Sequence, residues 1–403
     1  MKHFVLIELR RTKAMAQFRQ RGKTWTYIVD MGIDPLTKKR RPQVSKGGFK
    51  TQKEAKAAAR LVELEKQNGT LIKESQMPFE QFAKDWLKTY GRSGVKVSSV
   101  RAREKEMKHF ISVWGPFPIS RITKKMYEER ILELNEKYSH NYMDGIHACG
   151  RMIFKKAVTQ NLIKINPTED YKLPKKQQTV EELEKEEEDI NFLEKEELAH
   201  FLKLAQSEGL EMDHLVFTVL SYTGLRIGEL LALKWVDFNS KQGTLRITKT
   251  IYNPTNNFEK YQLLTPKTIG SKRTIEIDEM LVKMLKKHEI KQKEVKLKNK
   301  PIYQDNGFIF ARDDGHPQLR KVFETRLHRL LKKTEITKNI TPHSFRHTHA
   351  SLMFEAGATI KEVMERLGHT DPKTTTVIYT HVTQSTKEKT SQQFSKLMKG
   401  LLN

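Results

Sequence analysis

An acidic tract near the middle of the chain places the strongest limit on how the chain can fold. Seven of the nine residues from 181 to 189 are Asp or Glu, and Pro167 and Pro174 stand before them. Neighbouring carboxylates repel one another, so such a run stays extended in water and does not join a core. We therefore predict an acidic linker over residues 173–191, with separate domains before and after it.

The positive charge of the chain is unevenly distributed. Its 403 residues include 74 Lys and Arg against 49 Asp and Glu, a formal net charge of +25. Residues 1–60 hold 16 basic and four acidic side chains, a net charge of +12 and about half of the excess. This charge predicts a polyanionic partner, of which nucleic acid is the commonest. The single cysteine, Cys149, cannot form an internal disulfide, which indicates a reducing compartment.

Residues 1–68 have the pattern of a small sheet followed by a helix. Trp25 and Tyr27 alternate with other residues, which predicts a strand with an aromatic face, and an alanine-rich helix is predicted over residues 55–66. The prediction is a three-stranded sheet plus helix, a basic module that can enter a DNA groove. Its cations are candidates for contacts with phosphates or base edges: Arg19, Arg21, Lys23, Lys39 and Arg41.

Residues 76–172 carry helix signals and no strand signal. Phe79, Phe82 and Trp86 fall on one helical face, and similar apolar faces recur along the segment. We predict a bundle of four or five helices whose aromatic and methionine side chains form a core. Two basic residues of this region are further candidates for DNA contacts: Lys96 and Arg101.

Residues 192–403 are predicted to be mostly helical, with a strand pair near 244–252 and 261–277, so the chain as a whole is multidomain α+β. Its sequence lacks the phosphate loop G-x-x-x-x-G-K-[ST], the dinucleotide loop G-x-G-x-x-G, the zinc motif H-E-x-x-H and the nucleophile elbow G-x-S-x-G. No convincing set of converging carboxylates indicates a metal-dependent nuclease. No apolar run approaches the ~18 residues needed to cross a bilayer.

Three short clusters of polar residues stand out in this last region. The first is T-G-L-R-I-G-E-L over residues 223–230, beside a strongly apolar helix. An arginine close to core residues usually needs a partner, and Glu229 can supply one to Arg226 at a spacing of three residues. Considered alone, this octapeptide fits a simple helix salt bridge as well as it fits a functional arginine.

The second cluster is T-P-H-S-F-R-H-T-H over residues 341–349. Pro342 fits the first turn of a helix, which places His343 and Arg346 one turn apart on the same face. His343 and His347 have the spacing of two metal ligands, but no carboxylate third ligand lies nearby, so the pattern disfavours a metal.

The third cluster is L-G-H-T-D-P over residues 367–372, which is predicted to end a helix. Tyr379 lies ten residues beyond His369, in the stretch T-V-I-Y-T-H-V. A tyrosine in such a stretch is normally a packed core residue, so this cluster too is ambiguous when taken alone.

The order and spacing of the three clusters resemble those of the tyrosine recombinase family. The likeness is specific to integrases of temperate phages and of conjugative or pathogenicity-island elements of Gram-positive bacteria. T-G-L-R-I-G-E-L, H-S-F-R-H-T, L-G-H and I-Y-T-H-V stand where that family has its boxes, and Tyr379 follows Arg346 after 33 residues. Thr265-Pro266-Lys267-Thr268 resembles the hairpin that bears the family's lysine, and Lys267 is preferred to Lys272 because it precedes the threonine.

The resemblance covers the whole chain and implies three domains. Residues 1–68 are similar to an arm-type DNA-binding domain, residues 76–172 to a core-binding helical domain, and residues 192–403 to a catalytic domain. The implied reaction cuts and rejoins DNA through a 3′-phosphotyrosine, to integrate and excise a mobile genetic element such as a viral genome.

The resemblance also implies a role for each residue of the catalytic set. Arg226 and Arg346 would hold the scissile phosphate, Tyr379 would attack it, and His343 would be the base. His369 would donate a hydrogen bond to the phosphate, and Lys267 would protonate the departing 5′-oxygen. Glu229 would orient this set from behind. No cofactor and no metal are implied, and the phosphotyrosine stores the bond energy, so rejoining needs no ATP.

The partners implied are double-stranded DNA attachment sites of core and arm type, a homotetramer on DNA, an excisionase and a host DNA-bending protein. We expect the chain in the bacterial cytoplasm, associated with the nucleoid and not with a membrane. We further hypothesise that the C-terminal stretch after Tyr379, through Phe394 and Leu397 to Leu402, forms a short amphipathic helix that docks on a neighbouring protomer.

Three other interpretations compete with an integrase. A type IB topoisomerase uses similar residues, but relaxation of supercoils needs no separate module such as residues 1–68. An architectural or regulatory DNA-binding protein would not need the full catalytic set. A chromosome-dimer resolvase usually lacks the basic N-terminal module.

Overall fold

The computed structural model describes residues 16–33, 38–67, 75–174, 191–266, 271–369, 371–372, 375–380 and 398. The chain divides into two compact units, Met1–Gln177 and Gln178–Asn403. The boundary falls within the predicted linker, of which residues 175–190 lie outside the described residues. The finer domain limits given above stay predictions.

The first unit begins with a three-stranded antiparallel sheet in the order β1-β2-β3, backed by helix α1. The bounds are β1 Gln17–Arg21, β2 Thr24–Val29, β3 Val44–Phe49 and α1 Gln52–Gln67. Tyr27 and Val29 are buried and share a small core with Ala59 of the helix. The predicted sheet, its aromatic strand and its helix are confirmed.

The opposite face of this sheet carries arginines. Arg19 stands opposite Thr26 in the register, whereas Phe18 stands opposite Tyr27 on the packed face. Because side chains alternate along a strand, Arg19 and Arg21 lie on the face away from the helix, and both are exposed. Three more predicted DNA contacts of this module are exposed as well: Lys23, Lys39 and Arg41.

A helical bundle follows within the same unit, as predicted. Its helices are α2 Phe79–Arg92, α3 Val97–Trp114, α4 Lys124–Asn135 and α5 His140–Thr159, with a 3₁₀ turn at Ile119–Arg121 before α4. Phe79 packs against Trp114 and Phe154 at ring-centroid distances of 6.0 and 5.6 Å. Lys96 is the N-cap of α3 and Arg101 lies in its first turns, both half-buried.

The second unit is mostly helical, with two small sheets. Its helices are α6 Lys195–Ser207, α7 Asp213–Thr223, α8 Ile227–Leu230, α9 Glu279–Lys298, α10 Arg320–Leu331, α11 Ser344–Glu355 and α12 Ile360–Leu367. Its strands are β4 Phe238–Asn239, β5 Thr244–Ile247, β6 Thr250–Tyr252, β7 Gln262–Leu264 and β8 Arg273–Glu276. The sheet β4-β5-β8 and the pair β6-β7 are both antiparallel. The predicted pairing of residues 244–252 with residues 261–277 is therefore confirmed, but it is divided between β5-β8 and β6-β7.

Aromatic packing fixes helix α11 in the centre of this unit. Phe345 is fully buried, and its ring stacks on Phe217 of α7 and contacts Phe201 of α6 at centroid distances of 5.4 and 5.5 Å. Rings of this size bury a large apolar area, so they determine the rotation of α11 about its axis. The neighbouring residue, Arg346, is thereby directed into the protein.

The start of helix α11 differs from the prediction. Pro342 does not lie in its first turn, because the helix begins at Ser344 with His343 as the N-cap. The cause is a local turn: the Ser344 amide donates to the Thr341 carbonyl at 2.9 Å, and the Thr341 amide donates to the Ser344 hydroxyl at 3.1 Å. His343 therefore lies at the N-terminal boundary of the helix rather than within its first turn.

Gly224 marks the close approach of helices α7, α11 and α12. It is the C-cap of α7, with φ of 63°, where residues with a side chain are strained. A Cβ at this position would lie 2.4 Å from Leu367 Cδ2 and 2.7 Å from His349 Cδ2. Only glycine fits here without displacing its neighbours.

We predict that Gly224→Ala lowers the free energy of unfolding by about 2–4 kcal/mol, from backbone strain plus overpacking. Gly357→Ala is the matched control, because Gly357 also has a positive φ, of 90°, but has open space around its Cβ position. It should cost only the strain, about 1 kcal/mol. Denaturant unfolding of both variants measures the difference, and equal losses would contradict the packing argument.

No helix within the described ranges is long and apolar enough to span a membrane.

Candidate active site

A buried carboxylate organises the first cluster. Glu229 is only 3% exposed and accepts from Arg226 Nη1 at 2.8 Å and from the Arg226 amide at 3.1 Å. Its second oxygen also accepts from Arg273 Nη2 at 3.1 Å. The salt bridge that the octapeptide predicted is present, yet the Arg226 side chain remains 40% exposed. Arg226 is thus fixed in position while part of its guanidinium faces solvent.

The charge on Glu229 is stabilised by its neighbours. Burial alone would raise the pKa of this carboxyl, but the positive charges of Arg273 and Arg226, and then of Arg346, bring the pKa below its ordinary value of 4.5. Glu229 is therefore an anion at neutral pH and offsets two guanidiniums.

Arg273 was not assigned a role from the sequence. Its side chain is 6% exposed, and beyond Glu229 it donates from Nε to the Arg366 carbonyl at 2.7 Å and from Nη1 to the Ser271 carbonyl at 3.2 Å. It thus ties the Glu229 cluster to the end of helix α12 and to the start of β8. Arg366 is likewise anchored, donating to His349 Nε2 at 3.0 Å and to two backbone carbonyls.

Arg346 is the most deeply buried cation of the site. It is 1% exposed, and its guanidinium donates to the Gly224 carbonyl at 2.8 Å, the Leu367 carbonyl at 2.7 Å and His369 Nε2 at 3.2 Å. Burial, together with the nearby charge of Arg226, lowers the pKa of Arg346 to about 9. It still carries its charge at neutral pH.

The histidines of the site are uncharged at neutral pH. Desolvation and the surrounding arginines lower the pKa of His343 to about 4 and that of His369 to about 3. Desolvation also lowers the pKa of His347, whose ring lies edge-to-face with that of His343 at 4.7 Å. Among the residues that the structure describes, no group of three His, Cys, Asp or Glu could hold a metal ion.

Tyr379 lies in a helical turn over residues 375–380. Ile378 is the core residue of this turn at 1% exposure, whereas Tyr379 is 39% exposed and contacts Phe354 edge-on at 5.1 Å. Thr375 of the same turn is fully buried and bonds through Oγ1 to His369 Nδ1 at 2.8 Å. The turn that carries Tyr379 is thus connected to His369.

The structure joins most of the predicted catalytic set, but not all of it. Arg226 and Glu229 are bonded, Arg346 and His369 are bonded, and the charges of Arg226 and Arg346 act on both His343 and His369. Lys267 lies outside the described residues, and Lys272 is exposed just before β8. Arg226 and His343 line a cleft of about 440 Å³, walled by β6 and by the residues that precede α10.

The sequence of this chain matches two family models. Residues 191–386 match the model of the "Phage integrase family", and residues 17–66 match an "Arm DNA-binding domain". The integrase of Staphylococcus phage L54a is 32% identical over 80% of this chain and 94% of its own length. The "Prophage ps2 probable integrase" of Lactococcus lactis is 31% identical, covering 88% and 92%.

A solved structure has a similar fold. The Tn1549 transposon integrase, in complex with a circular intermediate DNA, superposes with a TM-score of 0.59 at 21% identity, covering 78% of this chain and 99% of that one. The class that fold and relatives define is the integrase-type tyrosine recombinase. The chain belongs to the phage integrase family, which confirms the resemblance found in its motifs.

We predict that Glu229→Gln lowers the free energy of unfolding at pH 7 by about 3 kcal/mol, because two cations lose a buried anion. The folded-state pKa of Glu229 is lowered, so its stabilisation is complete above pH 4.5 and is lost as the pH falls through the folded pKa. The difference between wild type and variant should therefore shrink in acid.

The matched control is Glu133→Gln. Glu133 also pairs with two cations, Arg130 and Lys137, but on the surface of the helical bundle. Its substitution should change stability little. Denaturant titrations at several pH values make the comparison, and a constant Glu229→Gln difference down to pH 3 would contradict the assignment.

Proposed function

We propose that this chain cuts and rejoins DNA at specific sites through a 3′-phosphotyrosine, and so integrates and excises a mobile genetic element. One observation carries the mechanism: two fixed guanidiniums, Arg226 and Arg346, act on neutral histidines, and Glu229, the acidic residue bonded to Arg226 among the described residues, is buried. Such a site neutralises a phosphodiester without a metal, because guanidiniums stay ionised and offer forked donors.

Tyr379 is the proposed nucleophile. Its partial exposure lets a DNA strand reach its hydroxyl. The phenolic oxygen attacks phosphorus, forming an O–P bond and breaking the bond to the 5′-oxygen. A phenol with an ordinary pKa of ~10 is a weak nucleophile at neutral pH, so it needs a base. His343 takes the phenolic proton, since it is uncharged and can accept one.

The leaving 5′-oxygen needs a proton, because an alkoxide is too basic to depart. Lys267 is the proposed acid, and its side-chain amine stays neutral until religation, when it takes a proton back from the attacking 5′-hydroxyl. His369 donates a hydrogen bond to a nonbridging oxygen of the phosphate. In religation the 5′-hydroxyl of a partner strand attacks the phosphotyrosine, and each proton transfer runs in reverse.

The bond between Arg346 and His369 must open before His369 can donate to the phosphate. Arg346 uses three of its five N–H donors on protein acceptors, and the bond from its Nε occupies His369 Nε2. The two backbone carbonyls fix the guanidinium, whereas the bond to His369 joins two groups that both serve the phosphate. We infer that substrate entry replaces this Arg346–His369 bond with bonds from each residue to the phosphate.

DNA recognition is assigned to the first unit. The exposed arginines of sheet β1-β2-β3, Arg19 and Arg21, together with Lys23, Lys39 and Arg41, are the proposed contacts with arm sites. Lys96 and Arg101 of α3 are the proposed contacts with core sites. Exchange between two duplexes breaks four strands, which implies four protomers on DNA. An excisionase and a host DNA-bending protein belong to the proposal as partners.

We predict that Tyr379→Phe abolishes the covalent protein–DNA adduct while changing DNA affinity less than about fivefold, since it removes a single hydroxyl. The assay uses a nicked half-site from the element's attachment site, with EDTA present. Tyr222→Phe is the matched control, because Tyr222 is a similarly exposed tyrosine of the same unit, at 42% against 39%. Adduct formation by Tyr379→Phe would refute the nucleophile assignment.

We predict that Arg226→Ala slows adduct formation by about 10²–10³, as expected for removal of one preorganised donor to a transition-state charge. DNA affinity should fall by far less, because one phosphate contact among many is lost. Arg246→Ala is the control, because Arg246 of β5 is also an exposed arginine paired with a buried carboxylate, that of Asp237. Equal losses of binding and cleavage in Arg226→Ala would indicate that Arg226 only forms a structural salt bridge.

A further inference from the structure

Both ring nitrogens of His369 are hydrogen-bonded. Arg346 Nε donates to Nε2 at 3.2 Å, and Nδ1 lies 2.8 Å from Thr375 Oγ1. A guanidinium can only donate, so Nε2 carries no proton in this state. The proton of the neutral ring is therefore on Nδ1, and the Thr375 hydroxyl accepts it.

The side chain of Thr375 is buried, so its hydroxyl needs a hydrogen-bond partner. It is fully buried, and a buried hydroxyl without a partner is costly. It lies in the helical stretch 375–380, in which Tyr379 follows one turn later and Ile378 is packed in the core. The bond from Thr375 to His369 therefore also fixes the position of the turn that bears Tyr379.

We propose that Thr375 is a positioning residue that sets the tautomer and ring orientation of His369 and links it to the Tyr379 turn. This inference rests on the proposed roles of His369 and Tyr379. To donate to a phosphate, His369 must carry its proton on Nε2. A threonine hydroxyl accepts from Nδ1–H in the unliganded state and donates to bare Nδ1 in the engaged state, so it satisfies both tautomers.

The change between the two states balances. When Arg346 turns from His369 to the phosphate, Nε2 is released and takes a proton from solvent water, while Nδ1 gives its proton to water. The ring stays neutral, and the hydroxyl of Thr375 rotates from acceptor to donor. His369 is half-buried rather than enclosed, which leaves water access to the ring.

Three variants test this role. Thr375→Val keeps the shape of the side chain but has no hydroxyl, and it should slow adduct formation on the nicked half-site about tenfold, the loss of roughly one hydrogen bond. Thr375→Ser keeps the hydroxyl and should restore most of the rate. Thr376→Val is the matched control, because Thr376 is the exposed neighbour in the same turn, and its rate should equal that of wild type. DNA affinity and melting temperature are measured for all three.

A double-mutant cycle separates positioning from mere stability. If Thr375 acts through His369, Thr375→Val should cost nothing further in a His369→Ala background. A further tenfold loss in that background, a rate unchanged by Thr375→Val, or a loss not recovered by Thr375→Ser would each overturn the proposal. These outcomes are distinct from failure of the proposed function, in which the wild type forms no adduct at all.

Discussion

The buried Glu229 carboxylate is the interaction on which the site depends. It lies between Arg226, which faces solvent, and Arg273, which is buried behind it. Without this anion two guanidiniums would repel each other in a medium of low dielectric constant, and neither would keep its position. Because Arg273 continues to the end of α12 and the start of β8, the same carboxylate also determines where the His369 turn stands relative to Arg226.

The other acceptors around the arginines are neutral, and this preserves the positive potential of the site. Four backbone carbonyls hold the two buried guanidiniums, those of Gly224, Leu367, Arg366 and Ser271. Carboxylates in their place would satisfy the same donors but would cancel the field that a phosphate requires. A carbonyl fixes the cation by geometry without removing its charge. Gly224 and the end of α12 are thus part of the electrostatics as well as of the packing.

Much of this site could be predicted from sequence, because its parts are local. The Arg226–Glu229 pair follows from a spacing of three residues, and the end of α12 follows from Leu367-Gly368-His369. The contacts that were missed join distant segments: Arg273 to Glu229 across 44 residues and Arg346 to His369 across 23. Such pairs depend on how helices pack, which no local pattern specifies. Arg273 stands in the stretch that resembles the family's lysine-bearing hairpin, but no local pattern there pairs it with Glu229. No sequence signal pointed to Thr375, because its neighbours Thr374 and Thr376 are also threonines and the sequence does not show which of them is buried.

The neutral histidines follow from the same field. With pKa values of about 4 for His343 and about 3 for His369, both rings are uncharged throughout the physiological pH range. Neither ring is therefore protonated before substrate arrives. A bound phosphodiester brings a negative charge beside them, which opposes the arginines and raises both pKa values. His343 therefore becomes a stronger base when a phosphate is present and remains a weak one in its absence. Under the proposed mechanism, proton transfer from Tyr379 is in this way tied to occupancy of the site by DNA.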